Sequence, residues 1–469
     1  MIAERESRFD DPYLVTAEGI KDPPKGWLQS LRYLGPGLIL SASIVGSGEL
    51  IATTTLGAQV GFALLWLVLF SCAVKVALQL EIARWTIATG TPALVGYNRV
   101  PPVFGRIGWI TVFWVILMLA KILQSGGIVS GTAVALSLMI PIGGDGLSAT
   151  SIAVWHGIVV AGSIALLFSG SYNVVERGAF VLVVMFSIVT ILIAFGLPLT
   201  PFGYTGADVL TGLAFTIPAG AIGAALAMFG ITGVGADEIT TYNYWCLEKG
   251  YARWTGPNDG SDAWLRRAKG WIGVMYKDAF LSMVIYTIST IAFYLMGAAV
   301  LHRQGLVPGG ANEMITTLAR MYTDTLGPWA YWMFLIGAVA VLGSTLWVAI
   351  PSQSRMFANF LAVVGVFDWN DYARRVNWIR IFTVLLPIVW AAASLLIQAP
   401  VMMVQIGGVM TGVFLLAVTV AAWYLRKTET DSRTWGGTGF SIALILSSAA
   451  IGLLAVYTVV STLGLVSIG

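Results

Sequence analysis

The fold of this chain is decided by residues 34–55, which read LGPGLILSASIVGSGELIATTT. The segment is apolar and long enough to cross a bilayer, since about 20 mostly apolar residues span the hydrocarbon core. Its centre, Gly46-Ser47-Gly48-Glu49, combines a glycine-rich helix break with a carboxylate at membrane depth. A buried charge is costly there, and unwound backbone is tolerated only where it is buried in protein or lines a cavity. The stretch favours a gated solute pathway over a membrane anchor.

The rest of the chain has the composition of a membrane protein. Of its 469 residues, 57% are hydrophobic and 10% are charged, and the mean hydropathy is +0.83. Soluble proteins carry roughly 25% charged residues, so the solvent of this chain is lipid. The hydropathy predicts eleven transmembrane helices, at 34–55, 60–83, 107–139, 151–169, 176–197, 213–245, 276–301, 328–362, 377–397, 401–425 and 439–465.

The positive charges predict the orientation of these helices. With the N-terminus inside, 22 of the 26 Lys and Arg residues lie in inner segments. Only Arg303 and Arg320 lie outside, while Lys75 and Lys121 lie within spans. This asymmetry follows the positive-inside rule. It predicts a multi-pass protein of the inner (plasma) membrane with a cytoplasmic N-terminal tail, residues 1–30, and a C-terminus outside.

The sixth apolar segment repeats the pattern of the first. Pro218 and Gly220 precede a second glycine-rich run, Met228-Phe229-Gly230-Ile231-Thr232-Gly233. The two segments are five spans apart and therefore cross the membrane in opposite directions. Interrupted segments at matching positions of two inverted halves indicate a transport site near the bilayer midplane. The alternative is that the glycines only allow close helix packing.

This symmetry predicts the domain organisation. Residues 31–200 form a first five-helix repeat and residues 201–428 a second, inverted one. Residues 429–469 add a further transmembrane helix.

Five charged residues in or near the spans are candidates for function. Glu49 is the candidate ligand or proton carrier, and the alternative is a buried acid paired with Lys75 or Lys121. Each lysine can replace a coupling ion or neutralise an acid. Asp237 and Glu238 follow the second break; adjacent residues of a helix point about 100° apart, so one of them is expected to face an inner vestibule. The alternative is that water solvates both at the cytoplasmic end.

Other classes of function find little support in the sequence. Basic residues are spread over loops, which argues against nucleic-acid binding. Cys72, Cys246, His156 and His302 form no zinc-type spacing, and no arrangement suggests a nucleophile–histidine pair. We therefore predict no enzymatic activity, no cofactor and no obligate protein partner, with a small ion or solute as substrate.

Several motifs carry a family resemblance, strongest in the first hundred residues. The chain resembles the NRAMP (natural resistance-associated macrophage protein) divalent metal-ion transporters. The matching stretches are Leu34-Gly35-Pro36-Gly37, Gly57-Ala58-Gln59-Val60-Gly61-Phe62-Ala63-Leu64-Leu65-Trp66, Gln79 through Arg84, Thr89-Gly90, Val175-Glu176-Arg177 and Gly220-Ala221-Ile222-Gly223-Ala224. The resemblance implies an all-α, LeuT-like fold of inverted five-helix repeats with helices 1 and 6 broken. It also implies alternating access with metal uptake coupled to protons.

The resemblance also implies where a metal would bind. The family's Asp-Pro-Gly-Asn motif corresponds to Gly46 through Glu49, and its Met-Pro-His motif begins at Ala227. Its acidic proton-path residues on helix 3 align near Ser125 and Ile128. Without the methionine thioether the site loses its preference for soft metals, and Glu49 with backbone carbonyls would give an oxygen-only site suited to Mg²⁺. The adjacent Met228 is an alternative ligand.

Three functional hypotheses follow. The first is uptake of a divalent metal ion, a hard ion such as Mg²⁺, with protons as the candidate driving ion. The second is transport of another small solute or an anion, using half-helix N-termini and the two lysines. The third is a non-transporting membrane sensor. The predicted substrate-binding residues are Gly46, Ser47, Gly48, Glu49, Ala224, Ala227, Met228 and Gly230; those predicted for coupling or gating are Lys75, Lys121, Asp237 and Glu238.

Overall fold

Long apolar helices make up most of the chain. The structure is a computed structural model that describes residues 11–168, 172–218, 220–310 and 313–462, with side chains at all of these except 47, 172–180 and 458–462. Within that part, 11 helices are long and apolar enough to cross a membrane, which confirms the predicted number of spans. In chain order they are α1 (Pro36–Val60), α2 (Leu65–Thr89), α3 (Trp109–Met139), α4 (Ala149–Phe168), α5 (Tyr172–Gly196), α6 (Ile222–Lys249), α7 (Asp262–Gln304), α8 (Ala330–Val363), α9 (Tyr372–Ile397), α10 (Pro400–Thr428) and α11 (Thr438–Thr462).

Short elements connect the spanning helices. One antiparallel hairpin, β1 (Val103–Phe104) with β2 (Ile107–Gly108), lies between α2 and α3 and pairs Val103 with Gly108. The short helices are Ala17–Gly19, Trp27–Ser30, Leu31–Tyr33, Ala93–Arg99, Leu197–Leu199, Gly206–Gly212, Tyr251–Thr255, Met314–Leu326 and Ser432–Thr434.

Helix α7 begins 14 residues before the predicted position 276. The Ser261 side chain accepts a hydrogen bond from the backbone N–H of Trp264 and so caps the helix at Asp262. The first turns are rich in Arg and Lys, which removes the apolar signal on which the prediction depended. Trp264 and Trp271 nevertheless bury one face of these turns.

Helix α1 is interrupted at the predicted glycines. It is regular over Pro36–Ile44 and Thr54–Val60, with wide π-helical turns over Val45–Thr53 between them. Gly46 leaves helical geometry, with φ −69° and ψ −107°. A Cβ atom on Gly46 would lie 1.4 Å from the Thr345 hydroxyl oxygen on α8. The glycine is therefore needed for the close approach of α1 to α8.

Helix α6 is also interrupted, slightly later than its glycine-rich run suggests. Its first half, α6a, covers Ile222–Ile231, and its second half, α6b, covers Ala236–Lys249. The four residues between them are not helical, and Gly233 has φ +68°, in the left-handed region that favours glycine. The prediction that helices 1 and 6 are broken is thus confirmed.

The two breaks touch each other inside the bundle. The hydroxyl oxygens of Thr53 and Thr232 are 3.0 Å apart. Around them, α10 packs against α3 and α6a, and α3 packs against α8 and α9. A Cβ on Gly230 would lie 1.8 Å from the Gly408 carbonyl oxygen on α10, so Gly230 serves close helix packing, as small residues do in membranes.

Candidate functional site

A small polar cavity lies beside the two breaks, between α1, α3, α6 and α8. Its volume is about 40 Å³, enough for a few water molecules, since one water needs roughly 10–15 Å³ on this measure. Its walls are Leu40, Ser43, Ile44 and Gly48 from α1; Lys121, Gln124, Ser125 and Ile128 from α3; Ile231, Asp237, Glu238 and Thr241 from α6; and Thr345, Val348, Ala349, Ser352, Gln353 and Met356 from α8. The cavity is therefore the candidate site for a solute that enters between the interrupted helices.

An ion pair crosses this cavity from α3 to α6b. The Lys121 Nζ atom lies 2.6 Å from Asp237 Oδ2, and both side chains are at most a tenth exposed. Lys121 also donates a hydrogen bond of 2.7 Å to Gln124 Oε1. The sequence singled out Lys121 and Asp237 separately, and the structure brings them together. The alternative pairing of Lys121 with Glu49 does not occur.

Asp237 and Glu238 both line the cavity, contrary to the expectation that only one would face inward. They occupy the first turn of α6b, directly after the extended backbone of the break. Because side chains at a helix start are not yet shielded by a preceding turn, two neighbours can reach the same space. Within the described part of the chain, the buried atoms Asp237 Oδ1 and Glu238 Oε2 accept no hydrogen bond from an N–H or O–H donor, so each has acceptor capacity left for a ligand.

Uncharged polar side chains complete the lining; among them only Ser125 was indicated by the sequence, through the family resemblance. Gln353 of α8 donates to the Ser125 hydroxyl at 3.4 Å, and Gln124 lies beside Lys121. The Met356 sulfur accepts from the Thr241 hydroxyl at 3.7 Å. The sequence did contain a signal for these residues, because amide and hydroxyl side chains inside the apolar helices α3 and α8 are not expected to face lipid.

Glu49, the predicted ligand, is not among the residues that line this cavity. Its side chain is fully buried on another side of the break, where Oε2 accepts a 2.8 Å hydrogen bond from the Thr53 hydroxyl. The neighbouring Gly48 does face the cavity. Glu49 follows Gly48 directly in the π-helical turns, so its side chain points in another direction, away from the cavity.

Lys75 binds backbone, not a carboxylate. Its Nζ atom donates to the carbonyl oxygens of Phe229 at 2.6 Å and Thr232 at 2.5 Å. Glu49 forms no ion pair with it, although Thr53 and Thr232 connect the two groups through hydrogen bonds. The alternative of a direct Glu49–Lys75 pair is therefore wrong, and the two charges share one buried polar cluster instead.

The remaining predicted binding residues lie in the walls of the bundle. Met228 and Ala227 are buried in apolar packing, Gly230 contacts α10, and Ala224 is half-buried on α6a. None of the four lines the cavity. Gly46 forms the α1–α8 contact, and the Ser47 side chain lies outside the described residues.

A second, larger cavity lies next to the site, towards the membrane face that carries the N-terminal tail. It has a volume of about 640 Å³ and shares Val348 with the small cavity. Glu248 at its wall pairs with Arg355 at 2.5 Å and accepts from the Tyr13 hydroxyl at 2.8 Å. On the opposite face the backbones of α1 and α7 touch, and a Cβ on Gly57 would lie 2.5 Å from the Tyr294 carbonyl oxygen. The open space beside the site is thus larger towards the N-terminal face.

A preformed cage of metal ligands is missing from the described part of the chain. No group of three or more His, Cys, Asp or Glu side chains is placed there to hold a metal ion. The cavity offers two carboxylates, two amides and several hydroxyls. Such an oxygen set suits a hard cation that keeps part of its water shell.

Comparison with known proteins identifies the family. The sequence model described as Nramp, natural resistance-associated macrophage protein-like, matches residues 37–461.

The chain belongs to the Nramp family. The resemblance inferred from the motifs is thereby confirmed. Metal transporter Nramp2 of Arabidopsis thaliana is 29% identical over 159 residues, which is 34% of this chain and 27% of that protein. An uncharacterised protein of Pasteurella multocida is 23% identical over 343 residues, or 72% of each chain. The matched region thus spans about a quarter of the Arabidopsis transporter.

Solved structures show the fold. A mutant of the Eremococcus coleocola manganese transporter superposes with a TM-score of 0.62 over 96% of this chain and 91% of that chain, at 15% identity. MhsT in complex with L-phenylalanine gives 0.54 over 94% and 99%, at 16% identity. A nucleobase-cation-symport-1 family transporter, Mhp1, gives 0.57 over 92% and 91%, at 13% identity. The predicted LeuT-like fold is confirmed.

Proposed function

We propose that this Nramp-family protein is a secondary-active transporter that moves a hard divalent metal ion, such as Mg²⁺, through the cavity between α1, α3, α6 and α8. The observation that carries the proposal is the pair of adjacent carboxyl groups, Asp237 and Glu238, which face this cavity at the α6 break, each with one oxygen that no donor in the described residues binds. Mg²⁺ is commonly bound by one or two carboxylates while it retains several waters. A cavity with room for a few waters fits that mode of binding.

In this proposal the Lys121 ammonium competes with the metal ion for the Asp237 carboxylate. In the absence of substrate its ammonium neutralises Asp237 at 2.6 Å. An entering dication replaces the ammonium on Asp237, while Lys121 keeps its hydrogen bond to Gln124. Because the lysine never leaves the site, it opposes retention of the metal, and release towards the N-terminal face becomes easier.

The transport cycle belongs to the same proposal. The N-terminal face is cytoplasmic, in keeping with the positive-inside pattern, so the larger open space lies towards the cytoplasm and the protein acts in the plasma membrane. Residues 31–200 and 201–428 rock against each other as inverted repeats. Protons are the driving ion and move inward together with the metal; Asp237 binds the metal, and the Glu238 carboxyl group is the proton carrier.

Uptake into proteoliposomes tests the proposal. A trapped Mg²⁺ indicator reports flux for the wild type, Asp237→Asn and Glu238→Gln, with a pH gradient imposed or absent. Asp22→Asn and Glu18→Gln serve as matched controls, because both side chains are exposed on the N-terminal tail. We expect both cavity variants to lose most of the flux and both controls to retain it. Unchanged uptake in both cavity variants would remove the carboxylates from the mechanism.

A second candidate, transport of a small zwitterionic solute, is favoured by one observation. Lys121 places a positive charge next to two acids in the same cavity, and opposite charges side by side fit a solute that carries an ammonium and a carboxylate. Lys121→Met separates the candidates. Titration calorimetry should show tighter dication binding for this variant if the substrate is a metal. If the substrate is zwitterionic, no dication produces heat, and the variant loses solute binding.

A further inference from the structure

The C-terminal end of α6a, at the helix break, carries a second charged site that the transport proposal does not use. This half-helix ends at Ile231, and the last carbonyl groups of any helix lack partners within it. The helix dipole makes this end partially negative. Broken helices of transporters commonly bind a monovalent cation with such carbonyls.

Here the ligand of those carbonyls is a side chain of the protein itself. Lys75 is fully buried in the middle of α2, and its Nζ atom lies 2.6 Å from the Phe229 oxygen and 2.5 Å from the Thr232 oxygen. The Ser71 hydroxyl, one turn earlier on α2, donates to the same two oxygens at 3.2 and 3.0 Å. The ammonium also lies 5.0 Å from the centre of the Phe229 ring.

These contacts differ from those of an ordinary buried ion pair. A lysine that only neutralises an acid would contact the carboxylate, yet Glu49 forms no ion pair with Lys75, and a hydrogen-bond path through Thr53 and Thr232 lies between them. The direct partners of the ammonium are neutral carbonyl oxygens of Phe229 and Thr232, both at the C-terminal end of α6a. An ammonium is a compact point charge with three N–H donors. It can therefore satisfy carbonyl oxygens that would otherwise bind a small inorganic cation.

We infer that Lys75 is a tethered cation, whose ammonium fills a monovalent-cation site formed by the carbonyl oxygens of Phe229 and Thr232. The site then carries its own cation, and the protein needs no external Na⁺ there to stabilise the α6 break. Lys75 is a positioning residue that fastens α2 to the end of α6a. The inference does not depend on which solute crosses the membrane.

Removing the ammonium should create a vacant site that salts can fill. We would measure the unfolding temperature of purified protein in choline chloride, NaCl, NH₄Cl and methylammonium chloride at constant ionic strength. Lys75→Ala should be less stable in choline and should regain roughly 2–4 °C in a saturable manner with Na⁺ or ammonium. Lys75→Met, which fills the space without charge, should gain nothing. Lys277→Ala removes a half-buried lysine that binds Ser30 and Gly26 and serves as the control.

The wild-type protein itself provides a further test of the inference. Its unfolding temperature should not change when Na⁺ replaces choline, because the site is already filled; saturable stabilisation by Na⁺ would overturn the inference. A Lys75→Ala protein that ignores every small cation would overturn it too. If Lys75→Ala does not accumulate, the double variant Glu49→Gln/Lys75→Ala takes its place with the same expectation, because it removes both charges of the buried cluster together.

Discussion

The Lys121–Asp237 pair allows a quantitative test of the site. Lys121→Met removes the ammonium and leaves the Asp237 carboxylate about a tenth exposed, facing a cavity that holds only a few waters. Breaking a buried ion pair by removing one partner costs about 3–5 kcal/mol, whereas replacing both partners by neutral groups is often nearly neutral. We therefore expect Lys121→Met to lower the free energy of unfolding by about 3–5 kcal/mol.

The double variant Lys121→Met/Asp237→Asn isolates the interaction. It should lose about 2–3 kcal/mol less than the sum of the two single variants, which is a coupling typical of directly contacting groups. Unfolding in mixed micelles with increasing dodecyl sulfate, followed by tryptophan fluorescence, gives each value.

An exposed pair serves as the comparison. The Arg99–Glu429 pair, at 2.9 Å with Arg99 about half exposed, should couple by less than about 1 kcal/mol in the same cycle. A coupling below about 0.5 kcal/mol for Lys121 and Asp237 would refute the reasoning, because the two groups would then not form a buried pair in the membrane-embedded protein.

Three further predictions concern the fold around the site. Gly46→Ala should cost about 1–3 kcal/mol in unfolding free energy, because its Cβ would overlap the Thr345 hydroxyl; Gly157→Ala on α4, with open space around it, should cost nothing, and equal stability of the two variants would contradict this. Asp278→Ala should speed amide exchange in the first turn of α1, because Asp278 accepts from the N–H groups that begin it; unchanged exchange would exclude this capping role. In the Met314–Leu326 helix, burial raises the pKa of Asp324, but hydrogen bonds from Arg320 and Gln304 outweigh it and leave the pKa below its usual value. Its stabilising effect should be complete above about pH 4 and fade as the pH falls further, so thermal unfolding of Asp324→Asn should depend less on pH below about 4 than that of the wild type.

The sequence was sufficient for the framework of the fold. Apolar length alone located all eleven helices, since a membrane helix is selected by length and hydropathy. The glycine-rich runs located both interruptions, because unwound backbone at membrane depth requires residues such as Gly46 and Gly233. The start of α7 was missed because its first turns have one polar face and one buried apolar face, and the average hydropathy of such turns is too low to indicate a membrane helix. The division into repeats at residue 200 stays a prediction.

The site itself was only partly predictable. Lys121, Asp237 and Glu238 were recognised because charges in or near spans stand out in an apolar sequence. The pairing of Lys121 with Asp237 was not predicted, since residues more than a hundred positions apart are paired by tertiary packing alone. Glu49 was expected to face the pathway, but the direction of its side chain is set by the wide turns after Gly46, which sequence spacing does not specify.

A bound metal would test the central proposal most directly. Anomalous diffraction from crystals of the wild type soaked in Mn²⁺, used as a heavier substitute for Mg²⁺, would locate the ion. We expect one peak in the cavity at coordination distance from an oxygen of Asp237 or Glu238, with Lys121 moved off Asp237. A peak beside Glu49 instead, or an empty cavity in a protein that still takes up Mn²⁺ into liposomes, would contradict the proposal.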